Sequence, residues 1–374
     1  MLSKNEQIVR MLNDAVKEAL LIIDRNINKW GERIPDFADA GVYMLWDKDN
    51  IHKATSWRQG FGMGIPWLCY RYTGDEKYKE YANRITNIFC GKPYLPDQCQ
   101  GVLYLPSCVT AFECAGNELA KKCAIGAADV LKNQFNPIGN YFYAFRKYRN
   151  YVVDSAFNSV IMHWASRVTG DASYYECAKL HLKTEIANSI RPDGSTCHQQ
   201  WFDTKGNPTD KTTAQGYSDD SCWSRGQAWA MLGFALHHRF TQDAEYLSVF
   251  KKLTSYFFDH LNPDGISCWD MVLTGEEDIV DTAASVIAVC AVLEMASQLP
   301  DDDEILKYKE KAINTLVSVV KKYSVSYDDY IDGLIVGGVD NMNSGRYDEA
   351  LIYGDYFYLE ALVRAITDFE TVWQ

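Results

Sequence analysis

The chain has 374 residues, 47% hydrophobic, 23% charged and 13% aromatic, which excludes disordered and collagen-like chains and leaves ample apolar surface for a large core. Its formal charge of −13 comes from 50 Asp and Glu against 37 Lys and Arg, and no basic run is dense enough to track a phosphate backbone; nucleic acid is therefore not an expected partner. Eleven cysteines without a Cys-x-x-Cys pair or regular spacing read as reduced thiols rather than a disulfide framework or a zinc site, which points to the cytoplasm.

Along the chain, the first segment carries scattered charges and no apolar stretch followed by a small-residue cleavage site, so no signal peptide is expected. Ile8, Met11, Leu12, Ala15, Val16, Ala19, Leu20 and Ile23 recur at helical spacing. A short polar turn then punctuates the sequence at Thr73-Gly74-Asp75, Gly116-Asn117, Thr169-Gly170-Asp171, Thr241-Gln242-Asp243 and Pro300 to Asp303. Gly ends one helix and Asp or Asn caps the next, so each turn reads as the tip of a helical hairpin. Helical spacing is expected from Val152 to Trp164, Ser221 to Phe240, Thr282 to Gln298 and Tyr353 to Thr367, and long alternating runs are scarce. The longest nearly apolar stretch, Ala283 to Leu293, is far short of the roughly 20 residues that cross a bilayer, so no membrane partner is expected.

Five or six hairpins that each bury one face predict an all-α fold closed into a helical toroid, with residues 1–374 forming a single domain. The short turns then share one end. The longer segments Gly31 to Gly60, Lys92 to Cys108, Arg191 to Ser221, Asn262 to Asp281 and Asp328 to Gly354 are left for the other. They are rich in Trp, Tyr, Asp, Gln and His, a set that suits a sugar's apolar faces and hydroxyl rim.

Three places carry candidate chemistry. In Gln215 to Trp229, Asp219, Asp220 or Ser221 is placed to cap a helix on which Arg225 and Trp229 share a face and Gly226 permits close approach. One reading is an Arg stacked on a Trp of an amphipathic helix; the other is an aromatic platform beside a cation that holds a carboxylate. Asp154 stands against an apolar stripe, and would have a lowered pKa as an N-cap but a raised one as a desolvated general acid. His198 follows the Pro192-Asp193-Gly194 turn without metal-ligand partners, and neither a Gly-x-Ser-x-Gly elbow nor a phosphate-binding loop is present. No metal and no cofactor is expected.

The stretch QGYSDDSCWSRGQAW, Gln215 to Trp229, closely resembles the unsaturated glucuronyl hydrolases, glycoside hydrolase family 88. Further likenesses are Val152-Val153-Asp154, Gly194 to His198, Ser267 to Asp270, Asp281 to Ala284, and Asp348-Glu349 followed by Tyr353 to Ala361. The resemblance runs over nearly the whole chain. It implies a six-hairpin α/α toroid, and an intracellular enzyme that acts on lyase-made oligosaccharides ending in a 4,5-unsaturated uronate. The chemistry implied is hydration of the C4=C5 double bond, after which the hemiketal collapses and expels the rest of the sugar. Asp154 matches the acid/base position. His198, Gln215, Arg225 and Trp229 match substrate-binding positions, Arg225 offsetting the substrate carboxylate, and Trp57 resembles a stacking tryptophan. Ser344 and Arg346, in Asn341 to Arg346, are loosely similar to a Ser-x-x-Ser-x-Lys stretch that binds substrate sulfate.

Two positions depart from the family's pattern. Cys99, in Gln98-Cys99-Gln100-Gly101-Val102-Leu103-Tyr104, stands where a second pocket aspartate is expected, and Gly62 falls where a tryptophan is common. Asp97 lies two residues upstream and replaces the missing carboxylate only if the loop shifts. The departures keep open a related uronidase of rhamnogalacturonan type or for a saturated uronide, and a catalytically impaired sugar-binding homologue.

Overall fold

The computed structural model describes residues 3–47, 56–145, 148–327 and 330–373. Parts of two segments expected at the functional end, 48–55 and 328–329, lie outside the described residues. The chain opens on α1 (Lys4–Trp30), started by a reciprocal Ser3–Glu6 capping box. A hairpin follows, β1 (Ile34–Asp39) and β2 (Val42–Trp46), paired antiparallel with Ala38 opposite Tyr43. Next come α2 (Gln59–Thr73), α3 (Glu76–Phe89), α4 (Gln100–Tyr104), a π-helical turn (Leu105–Val109), α5 (Thr110–Ala115) and α6 (Glu118–Asn133).

Strands β3 (Phe135–Asn136), β4 (Tyr141–Phe142) and β5 (Asn150–Val152) lead into α7 (Ser155–Asn158), α8 (Val160–Thr169) and α9 (Ala172–Ser189). Strands β6 (Gln199–Phe202) and β7 (Pro208–Thr212) extend β5 into a three-stranded sheet in which Tyr151 faces Gln200 and Gln199 faces Thr212. The remainder is α10 (Ser224–Thr241), α11 (Ala244–Asp259), α12 (Thr282–Gln298), α13 (Asp303–Tyr323) and α14 (Ile352–Ile366).

The polar turns are hairpin tips. Gly74, Gly116 and Gly170 take left-handed φ values of 71°, 65° and 75°, and Asp75, Asn117 and Asp171 accept first-turn N–H groups of the next helix. Gln242 and Asp243 do the same between α10 and α11, and Asp302 caps α13. Helices α2, α10, α12 and α14 are buried on nearly every face, whereas α1, α3, α6, α11 and α13 bury one stripe. The buried helices touch in sequence: α2 on α4, α4 on α7, α7 on α10, α10 on α12, α12 on α14, and α14 back on α2. All of them but the short α7 also pack on an outer partner, α14 on α1 among them. One large apolar cluster takes in residues from Leu12 to Trp373, and a small second one, Tyr141, Tyr151 and Phe202, lies at the three-stranded sheet.

Small residues set the closest approaches. A Cβ at Gly101 would lie 2.2 Å from the Asn158 carbonyl oxygen, and one at Gly233 would lie 2.5 Å from the Ala156 carbonyl carbon. At Gly62 a Cβ would meet Pro35 at 2.6 Å, so β1 leaves no room for a larger side chain there.

Two expectations are corrected. Val152 is in a strand and Val153 in the turn after it, so the helical run begins only after Asp154, because the chain pairs with Gln199 and with the His198 carbonyl. Helix α10 begins at Ser224 behind Trp223 rather than at a cap from Asp219, Asp220 or Ser221. Those residues are otherwise engaged: Ser221 bonds Asp270, and Asp219 accepts the Thr213 N–H.

Candidate active site

A cavity of about 350 Å³ opens among the long connecting segments. Trp57, Cys99, Asp154, His198, Gln215, Arg225, Trp229 and Arg346 line it, so eight of the nine sequence candidates converge. Ser344 does not: it sits on an exposed 3₁₀ turn and its hydroxyl bonds the Asn341 carbonyl.

Aromatic rings form the floor. Trp229 stacks between Phe157 (5.3 Å, 16°) and Phe61 (6.2 Å, 26°), and Trp57 leans on Tyr353 at 4.9 Å. Asp154 precedes α7 without capping it; no backbone N–H of the helix reaches its carboxylate. Its hydrogen-bond partner is the Gln98 amide, which donates to Oδ1 at 3.2 Å. Burial pushes its pKa up to about 6, and the neighbouring Asp97 charge adds to the rise. The reading of Asp154 as an ordinary helix cap therefore falls.

Asp97 lines the same cavity. Burial raises its pKa as well, opposed by hydrogen bonds from the Cys99 backbone N–H (2.9 Å) and thiol. Cys99 lies against both carboxylates, and its thiol is held protonated by burial and by the two charges. A carboxylate thus reaches the wall from two residues upstream because Cys99 points its N–H and S–H back at it.

His198 leans on Trp223, with ring centroids 4.5 Å apart and planes tilted by 32°. The Ala214 N–H donates to His198 Nδ1 at 3.1 Å, so the neutral ring carries its proton on Nε2. Burial, and then the Arg225 charge, push its pKa down to about 3, which makes it a neutral donor throughout the physiological range.

Arg225 departs from the reading of an Arg stacked on Trp229. Its guanidinium lies over Trp223 at 4.9 Å rather than over Trp229, and its charge is already offset by Asp281 at 2.6 Å. The Val339 and Asp340 carbonyls and Gln215 Oε1 accept its other Nη hydrogens. The cation that the resemblance sets against a substrate carboxylate is thus held in a fixed ion pair at the cavity wall.

Sequence reasoning passed over Arg58, Asp340 and the supports behind them. Arg58 and Arg346 converge on Asp340 at 2.6 and 2.7 Å, joining two cavity walls. Asp36 accepts Trp46 Nε1, Ser56 Oγ and Gln59 Nε2 and so holds the Trp57–Arg58 segment. Asp270 accepts the Tyr217 and Cys222 N–H groups and the Ser221 hydroxyl, which fixes the loop that carries Gln215. A lone Asp in an irregular segment carries no sequence signal for such a role. Three guanidiniums alternating with carboxylates around a pocket with an aromatic floor suit an anionic sugar.

The family described as Glycosyl Hydrolase Family 88 matches residues 26–363. The unsaturated chondroitin disaccharide hydrolase of Streptococcus agalactiae is 34% identical, covering 97% of this chain and 93% of its own length. The crystal structure of the unsaturated glucuronyl hydrolase of Bacillus sp. GL1 superposes with a TM-score of 0.91 at 32% identity, over 97% of this chain and 98% of that one. An Asp-to-Asn variant of the Streptococcus agalactiae unsaturated glucuronyl hydrolase, complexed with dGlcA-GalNAc6S, superposes with a TM-score of 0.84 at 32% identity, over 97% and 93% of the two chains. No described helix of this chain is long and apolar enough to cross a membrane. With likeness over nearly its whole length, and a pocket in which a raised carboxyl faces an aromatic floor, the chain belongs to glycosyl hydrolase family 88 and is a glycoside hydrolase.

Proposed function

We propose that this enzyme removes a terminal 4,5-unsaturated uronate from lyase-made oligosaccharides, with Asp154 as the single acid/base. The observation that carries the reading is the Asp154 carboxyl itself, uncapped, set against an aromatic wall and poised at about 6. In its protonated form Asp154 delivers a proton to C4 while water attacks C5. The resulting carboxylate takes the proton from that water, and the C5 hemiketal collapses to release the remaining sugar. Asp97 is the displaced second carboxylate: its charge adds to burial in raising the Asp154 pKa, so that Asp154 holds its proton up to about pH 6. His198 Nε2–H, the Gln215 amide and the Arg58–Asp340–Arg346 group face the sugar.

The order in which the buried helices touch supports a closed six-hairpin α/α toroid, and the one large apolar cluster supports one domain over residues 1–374. Eleven free thiols support a reducing, cytoplasmic setting. Sulfate has no place in the proposed recognition, since Ser344 is off the wall and Arg346 is paired with Asp340.

The test is incubation with lyase-made disaccharides while the conjugated enoate absorbance is followed. Decay on unsaturated but not saturated uronides is expected; no decay on any of several unsaturated uronides contradicts the reading. The same assay addresses the impaired-homologue alternative. The enzyme with Cys99 in place is expected to turn over, whereas turnover that appears only in Cys99→Asp shows that Asp97 does not replace the missing group.

A further inference from the structure

Cys108 and Cys123 follow Cys90 by 18 and 33 residues, a spacing with no metal-binding signature, yet the fold gathers their sulfurs. Cys90 ends α3, Cys108 lies in the π-helical turn and Cys123 on α6. All three Sγ atoms lie within 4.8 Å of one another, and Cys90 Sγ and Cys108 Sγ are 3.7 Å apart. With a metal–sulfur bond of about 2.3 Å, thiolates around one ion stand about 3.8 to 4.0 Å apart in tetrahedral or trigonal geometry. The three sulfurs need only a small contraction to meet it.

The surroundings point the same way. The Tyr94 hydroxyl lies beside the Cys123 thiol, and its close approach to α6 requires Gly126, where a Cβ would lie 2.0 Å from the phenol oxygen. Tyr104 is fully buried, its hydroxyl has no hydrogen-bond partner among the described residues, and it lies within electrostatic reach of all three sulfurs. Packed thiols are poor acceptors for such a hydroxyl, whereas metal-bound thiolates are good ones.

We propose that Cys90, Cys108 and Cys123 form a trithiolate site for one thiophilic closed-shell cation of the Zn(II), Cd(II) or Cu(I) class. Three S–H protons leave to solvent as three sulfur–metal bonds form, with no change of oxidation state. With a divalent ion the site carries one negative charge, which the Tyr94 and Tyr104 hydroxyls offset. The ion fastens both ends of the stretch from Cys90 to Cys108, which carries Asp97, Gln98 and Cys99 to the cavity wall. The inference is independent of the proposed reaction.

The experiment is a Cd(II) titration of the reduced, chelator-stripped full chain, followed by thiolate-to-cadmium ultraviolet absorption. One Cd(II) per chain is expected, with the band lost in Cys108→Ser, at least tenfold weaker binding in Cys90→Ser and Cys123→Ser, and no change in Cys69→Ser or Cys99→Ser. Circular dichroism checks each fold; if Cys108→Ser does not fold, the half-buried Cys90→Ser decides. Absence of stoichiometric uptake, uptake that survives folded Cys90→Ser at full affinity, or loss in Cys99→Ser overturns the proposal.

Discussion

Asp154→Asn is expected to lower the rate of enoate consumption by about 10²- to 10⁴-fold, the usual contribution of a positioned acid/base group. The amide still accepts the Gln98 hydrogen bond through Oδ1, so the cavity keeps its shape and substrate binding is expected to change little. Stability should move in the opposite direction to activity. A carboxyl whose folded pKa is raised to about 6 from 3.8 opposes folding above that range, and the penalty disappears below about pH 4. Discounted for solvent in the cavity, removing the charge is expected to stabilise the protein by about 1–3 kcal/mol at pH 7. Urea unfolding at pH 7 and pH 4 reads this directly: a gain at pH 7 that vanishes at pH 4 is expected, and equal midpoints for the two proteins at pH 7 contradict the electrostatic account. A gain in stability coupled to loss of turnover is the usual pattern for a group kept for chemistry.

Asp281→Asn carries the second large effect. Asparagine still caps α12 through its side-chain oxygen, so the variant isolates the charge that faces Arg225. Arg225 and Asp281 are both buried, and a buried cation left without its counter-charge costs about 3–5 kcal/mol. The expected result is a lower urea midpoint at unchanged m-value, together with weaker substrate binding, because Arg225 fixes both Trp223 and Gln215. Removing the cation as well, in Arg225→Met with Asp281→Asn, keeps the α12 cap and is expected to restore part of the stability and none of the binding. A loss under 1 kcal/mol in Asp281→Asn contradicts the assignment of Arg225 to this pair.

The features legible in the sequence are those written in local chemistry. The Gly-Asp and Gly-Asn turns name their own φ and cap requirements, so the hairpin tips at Gly74, Gly116 and Gly170 could be read without knowing what packs on them. Helix α12 was legible to its ends, because a largely apolar run behind the Asp281 cap has no competing strand partner. The stretch from Val152 to Trp164 was not, since its first residues pair with a strand nearly 50 residues away, and pairing of that kind overrides local helical spacing. The site was legible as a set of residues but not as a set of bonds. Arg225 shows the difference: its position in the motif was visible, while the counter-charge that neutralises it comes from an Asp more than 50 residues on. Asp97 shows the converse, where a shift of two residues along the chain is compensated by hydrogen bonds from Cys99. The gathering of Cys90, Cys108 and Cys123 had no sequence signal, because three separate helical elements deliver one sulfur each.

The most direct test of the central claim is the pH dependence of kcat/KM on a lyase-made unsaturated disaccharide, for the native enzyme and for Asp97→Asn. Asp154 titrates beside the Asp97 charge, and proton delivery to C4 needs Asp154 protonated, so the rate is expected to fall as pH rises through about 6. Removing the Asp97 charge makes Asp154 easier to ionise, so in Asp97→Asn this fall should move to lower pH. A profile flat from pH 5 to pH 8, or a limb that Asp97→Asn leaves in place, contradicts a carboxyl poised by burial and by Asp97 as the source of the proton.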